Sequence, residues 1–354
     1  MNGHPHPAFE RLRDRVRDAV TRHTPLRIRG GGTKDFYGNR PTGELFDPRE
    51  YAGIVDHAPT ELVVTVRSGT SLAELETALA EHRQILPFEP PHFGPGATVG
   101  GAVAAGLAGP RRVAAGSVRD FVLGASMIDG RGELLSFGGR VMKNVAGYDM
   151  ARVLAGSLGT LGVLVDVSLK VLPRPVAELT LAFDIDEAAA IRQLNEWGGQ
   201  PLPISASAWC KGELHIRLSG ARAAVDAARA RLGGRAIDGA DAWWSDLREQ
   251  RHSFFAGSGP LWRLAVPPTT PPLELGATLI EWHGGQRWIR ADHAAAALHT
   301  VAGDVGGHAT RFRGGDANVN AFQPLEPALA RIHARLKAEF DPAGIFNPGR
   351  LVPH

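Results

Sequence analysis

Four short glycine-rich stretches in the first half of the chain carry its clearest chemistry. Arg29-Gly30-Gly31-Gly32-Thr33-Lys34 follows a short apolar run and presents successive backbone N–H groups. Such a run can form a concave anion site, with Thr33 or Lys34 adding a donor. A plain turn fits the same residues. Pro95-Gly96-Ala97-Thr98-Val99-Gly100-Gly101 reads as a loop opening a helix. The N–H groups and positive dipole end of a helix start suit a pyrophosphate. Ala115-Gly116-Ser117-Val118-Arg119-Asp120 and Gly156-Ser157-Leu158-Gly159-Thr160-Leu161-Gly162-Val163 complete the set, the last lying just before a strand. Each alone is ordinary turn punctuation. Jointly they suggest backbone that approaches a ligand closely, because glycine has no Cβ in the way.

Other nucleotide chemistries lack support. No hydrophobic strand enters a GxGxxG, no acidic residue follows about 20 positions on, and no Gly-x-x-x-x-Gly-Lys-Ser/Thr exists. Lys and Arg total 39 against 37 Asp and Glu, a formal +2, which gives no footprint for nucleic acid. Cys210 is the chain's single cysteine, so it forms no internal disulfide and ligates no iron–sulfur cluster. No run of about 18 apolar residues offers a membrane span, and the first residues lack the apolar core of a signal peptide. In the second half, His308 with Arg311 and Arg313 offers a carboxylate site, or else ends a glycine turn beside surface arginines. His283 and His293 have no standard metal-ligand spacing and read as structural. In the pairs Trp243-Trp244 and Phe254-Phe255, one member of each is expected in the core and an exposed remainder would fit a subunit interface.

Phe9, Leu12, Val16 and Val20 predict an amphipathic helix over 7–23, ended by Pro25 and followed by a short strand at 26–29. ELVVTVR at 61–67 is a buried strand, and Ser71 with Glu74 predicts a capping box opening a helix striped by Leu72, Leu75 and Leu79. Residues 85–97 must be loop, and AVAAGLAG after Gly101 a helix of small side chains. A hairpin joins 122–129 to 134–137, a strand covers 163–172, and Pro173-Arg174-Pro175 reads as a linker. Beyond it, helices at 185–197 and 221–232 alternate with strands at 205–209 and 213–218. This βαβ-like alternation suggests a second α+β domain. A surface crossing at 267–272 and a final helix at 326–340, with Leu329, Ile332 and Leu336 on one face, complete the chain.

The ordered segments GGGT, PGATVGG, GSVRD, KNVAGYD and GSLGTLGV resemble the FAD-binding domain of the vanillyl-alcohol oxidase superfamily, the PCMH-type fold, over roughly residues 1–175. The ending Phe340-Asp341-Pro342-Ala343-Gly344-Ile345-Phe346-Asn347-Pro348-Gly349 is similar to the C-terminal signature of D-lactate and glycolate dehydrogenases. With RGGGTKDFYG and VMKNVAGYDMARVLAGSLGTLGV added, the chain resembles the FAD-binding subunits of glycolate oxidases. The resemblance implies an α+β fold. A PCMH-type FAD-binding domain of two α+β subdomains would span 1–175, and a smaller α+β cap domain of FAD-linked oxidase type 176–324. A C-terminal helix and tail, 325–354, would pack back on the FAD domain.

The resemblance also implies FAD, held non-covalently because Gly31-Gly32 leads into Thr33 where covalent relatives often carry a histidine. Gly30, Gly31, Gly32 and Thr33, with Thr98, Val99, Gly100 and Gly101, would hold the pyrophosphate through backbone amides, beside Lys34 and Pro95. Gly116, Ser117, Arg119 and Asp120 would lie along the ribityl chain and flavin. Gly159, Thr160, Gly162 and Val163 would line the adenosine–flavin groove, and Asn347 would return to the isoalloxazine. The implied activity is oxidation of glycolate, a small 2-hydroxy acid, to glyoxylate. Hydride would pass to FAD, and electrons to a second FAD subunit and an iron–sulfur subunit, in the cytoplasm or at the inner membrane face through those partners. Many relatives carry HxGDGNxH near the flavin, whereas this chain has Ala302-Gly303-Asp304-Val305-Gly306-Gly307-His308. That departure leaves His308 and Arg311 as catalytic candidates and tilts the expectation towards electron relay. An autonomous 2-hydroxy-acid dehydrogenase and a flavin-free assembly subunit are the competing readings.

Overall fold

The computed structural model describes residues 6–139, 149–290 and 292–352. A five-stranded antiparallel sheet organises the first half, in the order Ile54–Ala58, Val63–Arg67, Val163–Lys170, Val122–Ile128 and Leu134–Gly138. Val163 and Val165 pack with Phe9, Leu12 and Val16 of helix Pro7–Arg22, while Val167 and Leu169 pack with Leu72, Leu75 and Leu79 of helix Leu72–Glu81. Two cores therefore share one strand, through its residues Val163, Val165, Val167 and Leu169. The first helix ends at His23 in the left-handed region (φ 53°), before Pro25 is reached.

The expected Ser71 capping box is absent. Ser71 makes no side-chain cap, and instead bridges Thr98 while the Leu72 N–H donates to the Ala97 carbonyl at 2.8 Å. The glycine loop itself caps this helix. Helix Val99–Ala105 follows, short and built of small residues, with Val99, Gly100, Ala102, Val103 and Ala105 buried.

The second half is an eight-stranded sheet. Its order is Arg235–Ile237, Ala177–Asp184, Glu213–Gly220, Ile204–Cys210, Thr278–Glu281, Gln286–Arg290, Leu261–Ala265 and His308–Arg313. Every pairing is antiparallel, so the alternation of helix and strand does not build parallel βαβ units. Helices Glu187–Gly198 and Arg222–Leu232 cover one face through Ile191, Leu194 and Val225, and helix Ala295–Asp304 extends that layer through Leu298. The other face turns towards the first half. There Ala206, Ala208, Leu279, Trp288 and Phe312 share a core with Tyr37, Ala105, Leu107 and Leu158. Phe254 and Phe255 are both buried in this core, and Trp243 is half-buried with its ring stacked on His215 at 4.3 Å. One member of the tryptophan pair, Trp244, is core as expected, both phenylalanines are core, and neither pair leaves an exposed remainder.

A partly buried ionic cluster joins the halves. Arg111 donates to Glu89 at 3.2 Å and Glu178 at 2.6 Å, and Arg217 donates to Glu89 at 2.8 Å. Helix Pro327–Phe340 leaves Leu329 and Ile332 exposed and buries only Phe340. Its C-terminal end is anchored through Phe340 on Phe137 and through Lys337. The tail then runs beside strand Leu26–Ile28, with the Leu26 N–H donating to Ile345 at 2.7 Å and the Asn347 N–H to Leu26 at 2.9 Å. No described helix is long and apolar enough to cross a membrane.

Candidate functional site

Three of the four glycine stretches meet at one cleft. Gly30, Thr98, Gly100, Gly101, Gly159, Gly162 and Val163 form its rim, and Asn347 of the tail closes it. Ile28, Ala104, Leu158 and Leu164 give it an apolar floor. The loops are close because they lack side chains. A Cβ on Gly31 would overlap the carbonyl oxygen of Gly96, and one on Gly159 would stand 2.9 Å from Asn347 Nδ2 and 3.4 Å from Ile28.

The backbone amides divide sharply. Among the described residues, the N–H groups of Gly30, Gly31, Gly32, Thr33 and Lys34 donate to no protein acceptor. These residues are half-buried, so their amides are left to solvent or to a ligand. The start of helix Val99–Ala105 is different. The Val99 N–H donates to Thr70 at 2.9 Å, Gly100 to Ser68 at 2.8 Å, and Gly101 to the Thr98 hydroxyl at 3.1 Å. Those three amides are spent within the protein, so this segment offers the cleft a wall and not the expected amide donors.

The 30–34 loop is braced on both sides. Arg29 pairs with Asp35 at 2.5 Å, and Arg350 of the tail donates to the carbonyls of Lys34 and Asp35 at 3.2 Å. Lys34 Nζ contacts the Thr33 hydroxyl at 3.4 Å and the His92 carbonyl at 3.3 Å. Burial pushes its ammonium down to about 8, against the opposing charge of Glu249. Asn347 is 4% exposed, accepts from the Ile28 N–H at 2.8 Å, and donates to the Leu158 carbonyl at 2.6 Å. Both ends of its amide tie backbone together, so it positions the cleft walls. Thr160 is likewise turned inward, its hydroxyl donating to Ser157 at 2.7 Å.

Gly116, Ser117, Arg119 and Asp120 do not line this cleft. Ser117 and Asp120 close a capping box on helix Val118–Phe121, both the Ser117 N–H and hydroxyl reaching the carboxylate at 2.8 Å. Burial works the other way, yet those hydrogen bonds hold the Asp120 carboxyl below its ordinary value. Arg119 is exposed. Pro95 is absent from the cleft lining as well. Of the KNVAGYD segment, residues 143–148 lie outside the described residues, as do 353 and 354.

The second-half candidates separate by strand face. In strand His308–Arg313, Arg311 sits opposite Trp262 on the helix-covered face and donates to the carbonyls of Gly314 and Val319. It is a structural arginine, and its pairing with His308 as a carboxylate site is not formed. His308 lies opposite Ala265, on the face that carries Arg263. Partial desolvation and the charge of Arg263 hold the His308 imidazole below its ordinary value.

That inner face reveals residues that no motif marks. Strand register places Glu281, Gln286, Ala265 and His308 in one row and Leu279, Trp288, Arg263 and Thr310 in the next. A small pocket lies between these rows and the first half, lined by Phe93, Arg263, Glu281, Gln286, Trp288 and Phe312 among others. Glu281 is fully buried and accepts from Trp288 Nε1 at 2.5 Å and Gln286 Nε2 at 2.9 Å. Burial pushes its carboxyl up to about 7 from an ordinary 4.5, against those two hydrogen bonds, and the nearby Glu89 charge adds to the rise.

The sign of the linked stability follows directly. Between the ordinary value and about 7, the folded protein keeps a proton that the unfolded chain has released. Glu281 therefore contributes stability at acid pH that is lost as pH rises, on the order of 3 kcal/mol across the window. Urea unfolding of Glu281→Gln across this range is expected to give a flatter stability profile than the unsubstituted chain.

A family model described as FAD binding domain matches residues 9–138. The chain is 25% identical, over 93% of its length and 86% of the relative's, to D-lactate dehydrogenase of Archaeoglobus fulgidus. It superposes on alkyldihydroxyacetonephosphate synthase with a TM-score of 0.67 at 15% identity, covering 96% of this chain and 74% of that one, which is a likeness of fold. It is 49% identical over 341 residues, 96% of each chain, to "Glycolate oxidase subunit GlcE" of Escherichia coli. An identity of that level over nearly the full length of both, on a fold with a glycine-walled cleft and an FAD binding domain, shows that the chain belongs to the GlcE family of FAD-linked glycolate oxidase subunits.

Proposed function

We propose that this protein is the FAD-binding subunit of a glycolate-oxidising complex, with the cofactor lying along the cleft between residues 30–34, 98–101, 159–163 and Asn347. The single observation that carries this reading is the run of free amides at Gly30, Gly31, Gly32, Thr33 and Lys34. Two phosphates need such donors, and a helix start with its amides already spent cannot supply them. The apolar floor of Ile28, Leu158 and Leu164 suits flat ring systems, and the glycine rim admits a long thin body. When bound, FAD would accept a hydride from the substrate α-carbon.

The chain's own residues hold and orient. Arg29, Asp35 and Arg350 keep the amide loop in shape, and Asn347 fixes the spacing of the opposing walls. The division into an FAD domain at 1–175, a cap at 176–324 and a returning tail at 325–354 fits the two sheets and the anchored tail. The chain is also 31% identical, over 47% of its length, to "Glycolate oxidase subunit GlcD" of Bacillus subtilis. That likeness supports a second flavin subunit as partner. Electrons would leave through it and an iron–sulfur subunit, because Cys210 is the chain's single thiol.

Copurification with flavin and iron counted per complex tests the assembly. The isolated chain is expected to retain a yellow chromophore that acid precipitation releases into the supernatant, as non-covalent binding requires. A chain that stays colourless after FAD addition, alone and in complex, overturns the reading.

A further inference from the structure

One carboxylate of the second half grips the backbone behind the free amides. Glu249 follows helix Ala240–Arg248, and only 6% of its side chain is exposed. It accepts from the His92 N–H at 3.1 and 3.2 Å, from the Phe93 N–H at 2.7 Å and from Arg248 Nε at 2.8 Å. Burial works against its charge, yet the two backbone N–H groups and Arg248 hold the carboxyl below its ordinary value. Hydrogen bonds to an ionised acceptor are the strong ones, so this grip is firm. Phe93 needs one. Its φ of 54° is left-handed, which a bulky side chain rarely adopts. Such backbone persists only where its surroundings over-determine it.

The gripped segment backs the 30–34 loop at three successive places. Lys34 Nζ donates to the His92 carbonyl at 3.3 Å. A Cβ on Gly94 would stand 3.2 Å from Thr33 Cγ2, and one on Gly31 would overlap the Gly96 carbonyl oxygen. The two segments thus run side by side, with Glu249 behind the first. Glu249 itself does not line the cleft.

We propose that Glu249 is a positioning residue for FAD, reaching from the second half to hold the 92–93 amides and, through the 92–96 segment and Lys34, keeping residues 30–34 in the shape that receives the phosphates. The proposal rests on the reading of 30–34 as the phosphate-binding loop. It makes the seating of the second half and the filling of the cleft one linked equilibrium. A contact that raises FAD affinity must itself be strengthened by FAD.

Hydrogen exchange and flavin titration of the full chain test it. In the unsubstituted chain, FAD is expected to slow exchange of the His92 and Phe93 amides about threefold or more. Glu249→Leu is expected to raise the FAD dissociation constant about tenfold, within the usual range of coupling between sites. Glu249→Gln keeps an acceptor oxygen and is expected to recover part of that loss. A merely structural role would lower the melting temperature and leave the flavin affinity of the folded chain unchanged. Glu178→Gln is the control, since Glu178 ties Arg111 to the second half at 2.6 Å without touching the 92–93 amides, and its FAD affinity is expected to be unchanged. Unchanged affinity in folded Glu249→Leu overturns the proposal, as do an equal loss in Glu178→Gln and a Glu249→Gln chain that binds no tighter than Glu249→Leu. If Glu249→Leu does not fold, exchange at 92 and 93 that is indifferent to FAD overturns it. An unsubstituted chain that takes up no FAD is a different result, and counts against the proposed function instead.

Discussion

Asp341→Asn is expected to cost about 3–5 kcal/mol of stability, the range for breaking a buried pair on one side. Asp341 is 2% exposed and receives Lys337 Nζ at 2.5 Å, the Phe346 N–H at 2.8 Å and the Ile345 N–H at 3.1 Å. Lys337 in turn donates to the carbonyls of Thr160 and Phe346 at 2.7 Å. This cluster is the joint between the last helix, the 159–163 segment and the tail. Burial lowers the Lys337 pKa, and Asp341 is the group that opposes the shift. Without that carboxylate the ammonium is left in a poorly solvated site. Asn347 lies six residues beyond Asp341 on the same tail, so FAD affinity is expected to fall together with stability. Urea unfolding and flavin titration read the two effects. The double variant Lys337→Met, Asp341→Leu is expected to recover part of the stability, because removing both partners of a buried pair is far less costly than removing one.

Gly31→Ala is expected to reduce FAD affinity about 100-fold. The added methyl would overlap the Gly96 carbonyl oxygen, and the obstacle is backbone, which cannot swing aside as a flexible side chain can. One of the two loops must shift, and overpacking of this kind costs about 1–3 kcal/mol. The shift falls on the 30–34 loop, whose free amides are the donors proposed for the phosphates. Since each 1.4 kcal/mol is about tenfold in affinity, the strain and the lost contacts both appear in the flavin dissociation constant. Gly198→Ala is the control. Its Cβ would meet nothing within 4 Å at the end of helix Glu187–Gly198, so FAD affinity is expected to be unchanged.

Local patterns translated well into elements. The i, i+3, i+4 spacing of Phe9, Leu12 and Val16 became a helix whose inner face is those residues, because periodicity alone dictates which side chains line up. Strand and hairpin positions in the first half followed for the same reason. The helix at 326–340 formed as its pattern demands, yet Leu329 and Ile332 are exposed, since periodicity defines a face without saying what covers it. Proximity in sequence pairs Arg311 with His308, whereas strand alternation and a bulge beyond Trp262 send its guanidinium to Gly314 and Val319. Arg263, Glu249 and Glu281 carried no sequence signal, being single residues distant in the chain.

The amino-acid sequence alone established where unhindered backbone occurs and, through the resemblance of its ordered motifs to one FAD-binding family, the expected α+β fold and cofactor. Only the tertiary structure decided which donors remain for a ligand. The amides at Val99, Gly100 and Gly101 are occupied by Thr70, Ser68 and Thr98, and those of residues 30–34 are not. An N–H group is free or occupied according to what the folded chain brings opposite it, and for Val99 and Gly100 the partners come from a segment about thirty residues away in sequence.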